Sequence, residues 1–341
     1  MFAATFGSSS RRARGAYTKL DRTLRVSSGL IREYQCLFRN APHLMARVGN
    51  DAAAELVGSS EQDGLKRPLL ASGADCKFVM PPPKKQKERR IPKVGDMNKV
   101  PLAVPSVVHA KLGSPQLVLA FDVETNDFVP GPRPLIKGQF GHWSFCTPDD
   151  LNFKLLQIGW AVGEVSEGAR VECQEILVRP DGFAISERAT NHHGITTEVA
   201  LAEGRPLKQV LEDFMAAVLR VRSQGGRLVS HHFEFDAGII ARHLQETCSE
   251  EWCRQWDLIA ADGICTMDLD ICEWVNYTFG RDRGKGEKTL VLGLKDAVNL
   301  LLRRSEKAME LLTKHHTAGA DAQMHRLLYI ALRVLSANAR V

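Results

Sequence analysis

A chain of 341 residues has room for two average domains or one larger domain with tails, and 44% hydrophobic and 25% charged residues is an ordinary globular composition. No run approaches the roughly 20 apolar residues of a membrane span, so a soluble protein with no membrane partner is expected. The net charge of +5 hides an asymmetry: residues 1–110 carry 19 Lys+Arg against 9 Asp+Glu, leaving 26 against 31 in residues 111–341. A basic arm precedes a mildly acidic body, an arrangement suited to polyanion contact or to targeting.

The first 40 residues open with Arg11, Arg12, Arg14, Lys19, Arg22 and Arg25 set against Asp21, the composition of an organelle transit peptide. The run "MPPPKKQKERRIPK" (80–93) reads instead as a nuclear localisation signal. The expected location is therefore intracellular, in the nucleus or in a mitochondrion or other organelle. Residues 52–107 are rich in Gly, Ser, Pro and Lys without periodicity, which predicts a linker. The chain divides into a basic, low-order N-terminal region over 1–110 and one folded domain over 111–341. Its eight cysteines are scattered without a CxxC pair, as in proteins that keep reduced thiols. Cys248, Cys253, Cys265 and Cys272 come nearest to a zinc set, but their irregular gaps favour buried free thiols.

Past this boundary the pattern alternates between strands and helices. Residues 117–121, 154–164 and 171–180 read as three strands. Residues 206–221 carry a helical apolar stripe opened by Pro206. A short strand over 227–231 leads into a helix over 237–245, and further helices are predicted over 289–304 and 319–335. Strands followed by α/β alternation call for a sheet with helices on its faces.

The first strand ends in "FDVETND", with Asp122 and Glu124 two residues apart and so on one face. Neighbouring carboxylates repel unless a proton or cation lies between them, although a solvated strand end also explains so common a pattern. In "LVSHHFEFDAGIIARHL" (228–244), Asp236 opens an apolar helix, and its bland reading is an N-cap. In "KHHTAGADAQMHRLLYIAL" (314–332), Asp321 enters another apolar helix five residues after His316. Each acid stands at the end or the start of a core element.

In this order over some 200 residues, "FDVET", "HHFEFD" and "HHTAGADA" resemble the three motifs of the DEDD superfamily of 3′-to-5′ exonucleases, related to the proofreading subunit of DNA polymerase and to RNase T. The H-x-A-x-x-D spacing from His316 to Asp321 resembles the histidine branch. "LLQIGW" is similar to the family's second strand and "ISERATNHHGIT" (185–196) to the stretch before its first helix. The chain departs from the pattern at His231-His232, where His-Asn is usual, at Thr125-Asn126, where Thr-Gly is usual, and in a long connection over 128–150.

The resemblance implies a ribonuclease-H-like α/β fold, a mixed sheet of about five strands flanked by helices. It implies a metal-dependent hydrolase that removes nucleoside 5′-monophosphates from the 3′ end of DNA or RNA, single strands above all, with two Mg²⁺ or Mn²⁺ ions. One ion would be held by Asp122, Glu124 and Asp321, and the other mainly by Asp122 with Asp236. His316 would be the general base, with His315 as its rival. Thr125, Phe128, His231 and Phe233 are the expected substrate contacts, and Trp143 is a further aromatic that could stack on a base. Two other readings stand beside this one: a catalytically weak nucleic-acid-binding module of a larger complex, and an endonuclease of the wider ribonuclease-H-like group.

Overall fold

The apolar residues of 117–125 alternate in direction, and that alternation organises the molecule. Leu119, Phe121 and Val123 enter one side of the core, while Ala120, Asp122 and Glu124 face the other. The computed structural model describes residues 103–128, 135–147, 149–166, 168–279 and 291–339. Both targeting runs and nearly all of the linker lie outside the described residues.

Helix α1 (Ser106–Leu112) leads into strand β1 (Leu117–Thr125). A small hairpin, β2 (Ile136–Lys137) and β3 (Trp143–Ser144), follows, then a 3-10 turn and strands β4 (Leu155–Glu164) and β5 (Glu172–Leu177). Next come α2 (Glu187–His193), α3 (Thr197–Glu203), α4 (Leu207–Ser223), β6 (Arg227–Ser230) and α5 (Phe233–Thr247). The remaining elements are α6 (Glu250–Ala260), β7 (Ile264–Cys265), α7 (Leu269–Thr278), α8 (Leu294–Leu301), α9 (Glu306–Leu312) and α10 (Ala318–Asn338).

The main sheet has the order β5-β4-β1-β6-β7. β4 runs antiparallel to both β1 and β5, whereas β6 and β7 run parallel to β1. This is the ribonuclease-H-like arrangement, a mixed five-stranded sheet between helical layers. On one face, Phe121 packs against Phe214 of α4, Phe233 of α5 and Trp256 of α6, with ring centroids 5.5, 5.8 and 6.1 Å away. Helix α10 covers β1 and β4 on the other face.

The strands and the long helices fall where the apolar periodicity places them, and the short elements do not. Helix α5 starts at Phe233, four residues ahead of expectation, with His232 at its N-cap position. The N-cap reading of Asp236 is thereby replaced: the residue sits in the first turn. The helix expected over 289–304 is α8, shorter at both described ends, and α9 follows as a separate element. Helices α2 and α3 have seven residues each and β7 has two, too few to establish a period. The four grouped cysteines, Cys248, Cys253, Cys265 and Cys272, are free thiols. No helix among the described residues is long and apolar enough to cross a membrane.

Candidate active site

Cross-strand pairing decides what surrounds Asp122. Its partner on β4 is Gly159, which pairs in turn with Glu175 on β5, while Glu124 pairs with Gln157. Directly opposed residues share a face of the sheet, so all of these lie on the side covered by α10. A Cβ on Gly159 would come within 2.2 Å of the Ala318 backbone, so glycine is what lets the first turn of α10 reach the sheet. There the Ala318 N–H donates to Gln157 Oε1 (3.0 Å) and the Gly319 N–H to Glu175 Oε2 (2.8 Å). Both are amides that a helix start leaves without partners in the helix.

This seating brings Asp321 to the end of β1. Ligand oxygens of Asp122, Glu124 and Asp321 all lie within 4.8 Å of one another. Asp236 approaches from the first turn of α5 and accepts a hydrogen bond from the Ser230 hydroxyl. It stands outside that group of three, yet its charge acts on both Asp122 and Glu124. Burial, followed by the neighbouring carboxylates, pushes Asp122 and Glu124 well above the ordinary carboxylate range. Burial and Asp321 likewise push Asp236 up to about 8, against the hydrogen bond from Ser230.

Among the described residues no lysine or arginine pairs with any of the four acids. Their basic neighbours are imidazoles: His315 Nδ1 lies 3.0 Å from each oxygen of Asp321, and His325 Nε2 lies 3.7 Å from Asp122 Oδ1. A concentrated, uncompensated set of hard oxygen donors fits Mg²⁺ or Mn²⁺.

His316 occupies the turn before α10 with φ 75°, a left-handed conformation that costs a non-glycine residue about 1 kcal/mol or more. Its backbone N–H donates to Asp321 Oδ2 at 3.3 Å. Its ring lies 3.7 Å from that of His315 and 3.7 Å from that of His192, centroid to centroid. No hydrogen bond engages its ring nitrogens among the described residues, whereas His315 is tied to Asp321. Burial and the flanking imidazoles lower the His316 pKa to about 4, which leaves the ring an uncharged proton acceptor at neutral pH.

The expected substrate contacts divide into two groups. Phe128 sits half-buried at the rim, its ring 5.1 Å from that of His192 and 5.1 Å beneath the Arg188 guanidinium. Trp143 is exposed on the hairpin. Thr125 is buried and donates to the Asp127 carbonyl at 2.7 Å, which shapes the end of β1.

Two of the expected contacts are corrected. Phe233 is fully buried against Phe121, Phe140 and His142, so it is a core residue and no stacking platform. His231 is buried with one ring nitrogen on Thr266 Oγ1 (2.9 Å) and the other on the Leu292 carbonyl (2.8 Å). Its hydrogen-bonding capacity is spent inside the protein.

The departures from the family pattern acquire partners. His232 Nε2 meets Ser144 Oγ at 2.6 Å, and Glu234 accepts from the backbone N–H groups of Phe140 and His142 at 3.2 and 2.8 Å. The long connection is thus tied, through its described hairpin, to the first turn of the helix that carries Asp236. Gln157, Glu175, Ser230, His192 and His325 escaped the sequence reading. Of these only His325 left a local signal, since it stands one turn beyond Asp321 on the same helix face.

A scan against family models finds no match to this chain, and no curated protein matches it. Solved structures do match: exonuclease I (13% identity, covering 64% of this chain and 41% of that chain, TM-score 0.45) and E. coli exonuclease I in complex with a 5cy-dT13 oligonucleotide (12%, 65% and 41%, TM-score 0.43). The chain spans about two fifths of the length of these proteins. At this identity and TM-score, the site stands on its own geometry.

Proposed function

We propose that the chain is a metal-dependent 3′-to-5′ exonuclease of the DEDD type, histidine branch, which releases nucleoside 5′-monophosphates from single-stranded ends. One observation carries this reading: Asp122, Glu124 and Asp321 gather from β1 and α10 with Asp236 of α5 close enough to act on them, and among the described residues no lysine or arginine pairs with them and no hydrogen bond engages the ring nitrogens of the adjacent His316. A purely structural cluster of this kind would be costly, because buried like charges destabilise one another.

Asp122, Glu124 and Asp321 would hold a divalent ion, with Asp236 beside them serving a second. When bound, such ions polarise the phosphoryl oxygen and lower the pKa of coordinated water. His316 accepts the proton of the attacking water through a free ring nitrogen. Its own backbone bond to Asp321 keeps it beside the acids. Phe128, flanked by His192 and by Arg188, whose guanidinium is paired with Asp127 at 2.6 Å, offers a ring for a terminal base. The basic arm adds salt-sensitive affinity that is independent of sequence.

The test uses the full chain with Mg²⁺ or Mn²⁺ on matched DNA and RNA oligonucleotides labelled at the 5′ end. A ladder that shortens from the 3′ end, and that disappears with EDTA and with Asp122→Ala, supports the reading and reports the preferred sugar. Cleavage of a circular substrate would favour an endonuclease. Tight binding of single strands without any cleavage would favour a binding module.

A further inference from the structure

A second group of ligand atoms overlaps the first. Ring nitrogens of His315 and His316 and a carboxylate oxygen of Asp321 all lie within 4.8 Å of one another. The chemistry of this group differs from that of the acid cluster. Two imidazoles and one carboxylate make a borderline donor set, which suits Zn²⁺ and its neighbours and suits Mg²⁺ poorly. Three protein ligands with an open position is a coordination that zinc adopts in catalytic sites, with Zn–N near 2.0–2.1 Å. The His315–Asp321 spacing of 3.0 Å is already short enough for one ion to bridge the two. Among the described residues no hydrogen bond holds the His316 ring, but it stacks on His315 and His192 at 3.7 Å, so it must turn out of that stack for its nitrogen to converge with that of His315 on one ion. Both imidazoles are half-buried, so an ion can enter from solvent.

We propose that His315, His316 and Asp321 form a distinct cation site for borderline transition ions such as Zn²⁺, and that filling it switches the hydrolytic site off. The switching half rests on the exonuclease reading. Asp321 belongs to both groups of ligands, and His316 is the residue assigned to take the proton from water. An ion on the imidazoles occupies the lone pair that would accept that proton and draws Asp321 away from Asp122 and Glu124. Only Thr317 separates His316 from α10, so the two uses of Asp321 compete within a single short segment.

The binding half is tested without substrate, by titrating the metal-stripped full chain with Co²⁺ as a coloured stand-in for Zn²⁺. Wild type and Glu124→Gln should both develop the visible absorption of four-coordinate Co²⁺, and Zn²⁺ should bleach it. His315→Ala should weaken the binding by at least about tenfold, which corresponds to about 1.4 kcal/mol, while its circular dichroism stays that of the folded chain. Absence of the band in wild type would overturn the site, as would its persistence in His315→Ala or its loss in Glu124→Gln, because the ion would then belong to the acids.

The switching half is read separately, as inhibition of Mg²⁺-supported cleavage by Zn²⁺. The half-inhibitory Zn²⁺ concentration for His315→Ala, relative to that variant's own uninhibited rate, should rise by about tenfold. Equal inhibition of both proteins would overturn the switch. A chain that binds Co²⁺ as described and cleaves nothing would instead overturn the exonuclease reading and leave the cation site standing.

Discussion

The two sides of the candidate site are built differently. The acids come from the end of β1 and the first turns of α5 and α10, and Glu124, Asp236 and Asp321 are all less than 10% exposed. The imidazole side comes from a helix end and a turn. His192 is exposed, His315 and His316 are half-buried, and His316 holds a strained φ. Rigid elements fix where charge is concentrated, and the rim is less confined, as the proposed entry of a chain end and transfer of a proton would require. The acid side should therefore respond to substitution as an all-or-none device and the imidazole side by degrees.

The largest effect belongs to the acids. Asp122→Ala should lower cleavage by about a thousandfold, the rate equivalent of the several kcal/mol that a bound ion supplies. Full activity in this variant, measured by release of mononucleotides, would dissolve the distinction between the two sides. His316→Ala should lose about a hundredfold or more in kcal-equivalent rate terms typical of a removed general base. Wild-type rates for this variant across pH 6 to 8 would assign the base elsewhere, with His315 the first alternative.

Gly159→Ala acts on the joint between the sides. Its Cβ would push against the Ala318 backbone, so a loss of about 1–3 kcal/mol of stability is expected, as for other overpacked sites, together with a fall in activity from displacement of Asp321. Chemical denaturation and turnover should change together, and an unaffected variant would show that α10 is not seated by this contact. Phe128→Ala should weaken binding of single strands by about 1–3 kcal/mol per stacked base while leaving kcat nearly intact. A drop in kcat at constant KM would move Phe128 from the rim into the chemistry.

The smallest effect is read by temperature. Asp122, Glu124 and Asp236 have raised pKa values in the folded chain, Asp236 at about 8. The contribution of Asp236 to stability is therefore complete below the unfolded carboxylate value near 4 and is lost as pH rises through about 8, and those of Asp122 and Glu124 are lost in the same direction. Metal-free protein should melt progressively lower across that window, and Mg²⁺ or Mn²⁺ should raise Tm more at pH 8 than at pH 5. Asp122→Asn should raise the metal-free Tm at pH 8. An equal rise with metal at both pH values would mean that the acids are not the strained element.

By itself the sequence determined which residues could carry the chemistry. Asp122, Glu124, Asp236 and Asp321 stood out because each lies at the end or start of an apolar element, but it was the resemblance of the three motifs in order that joined them into a candidate site, and His316 entered through the spacing of the histidine branch. The central strands and helices α4, α5 and α10 were legible from periodicity, since burial imposes a period of two or of 3.6 on the chain. Tertiary structure alone decided which polar residues face the site. His231 and Phe233 stand within five residues of Asp236 yet turn into the core, and Gln157 and Glu175, on separate strands, meet the start of α10 only through the pairing register of β1, β4 and β5. Register, the absent side chain of Gly159 and the meeting of His192 with His316 depend on residues far apart in the chain, and local spacing holds no record of them.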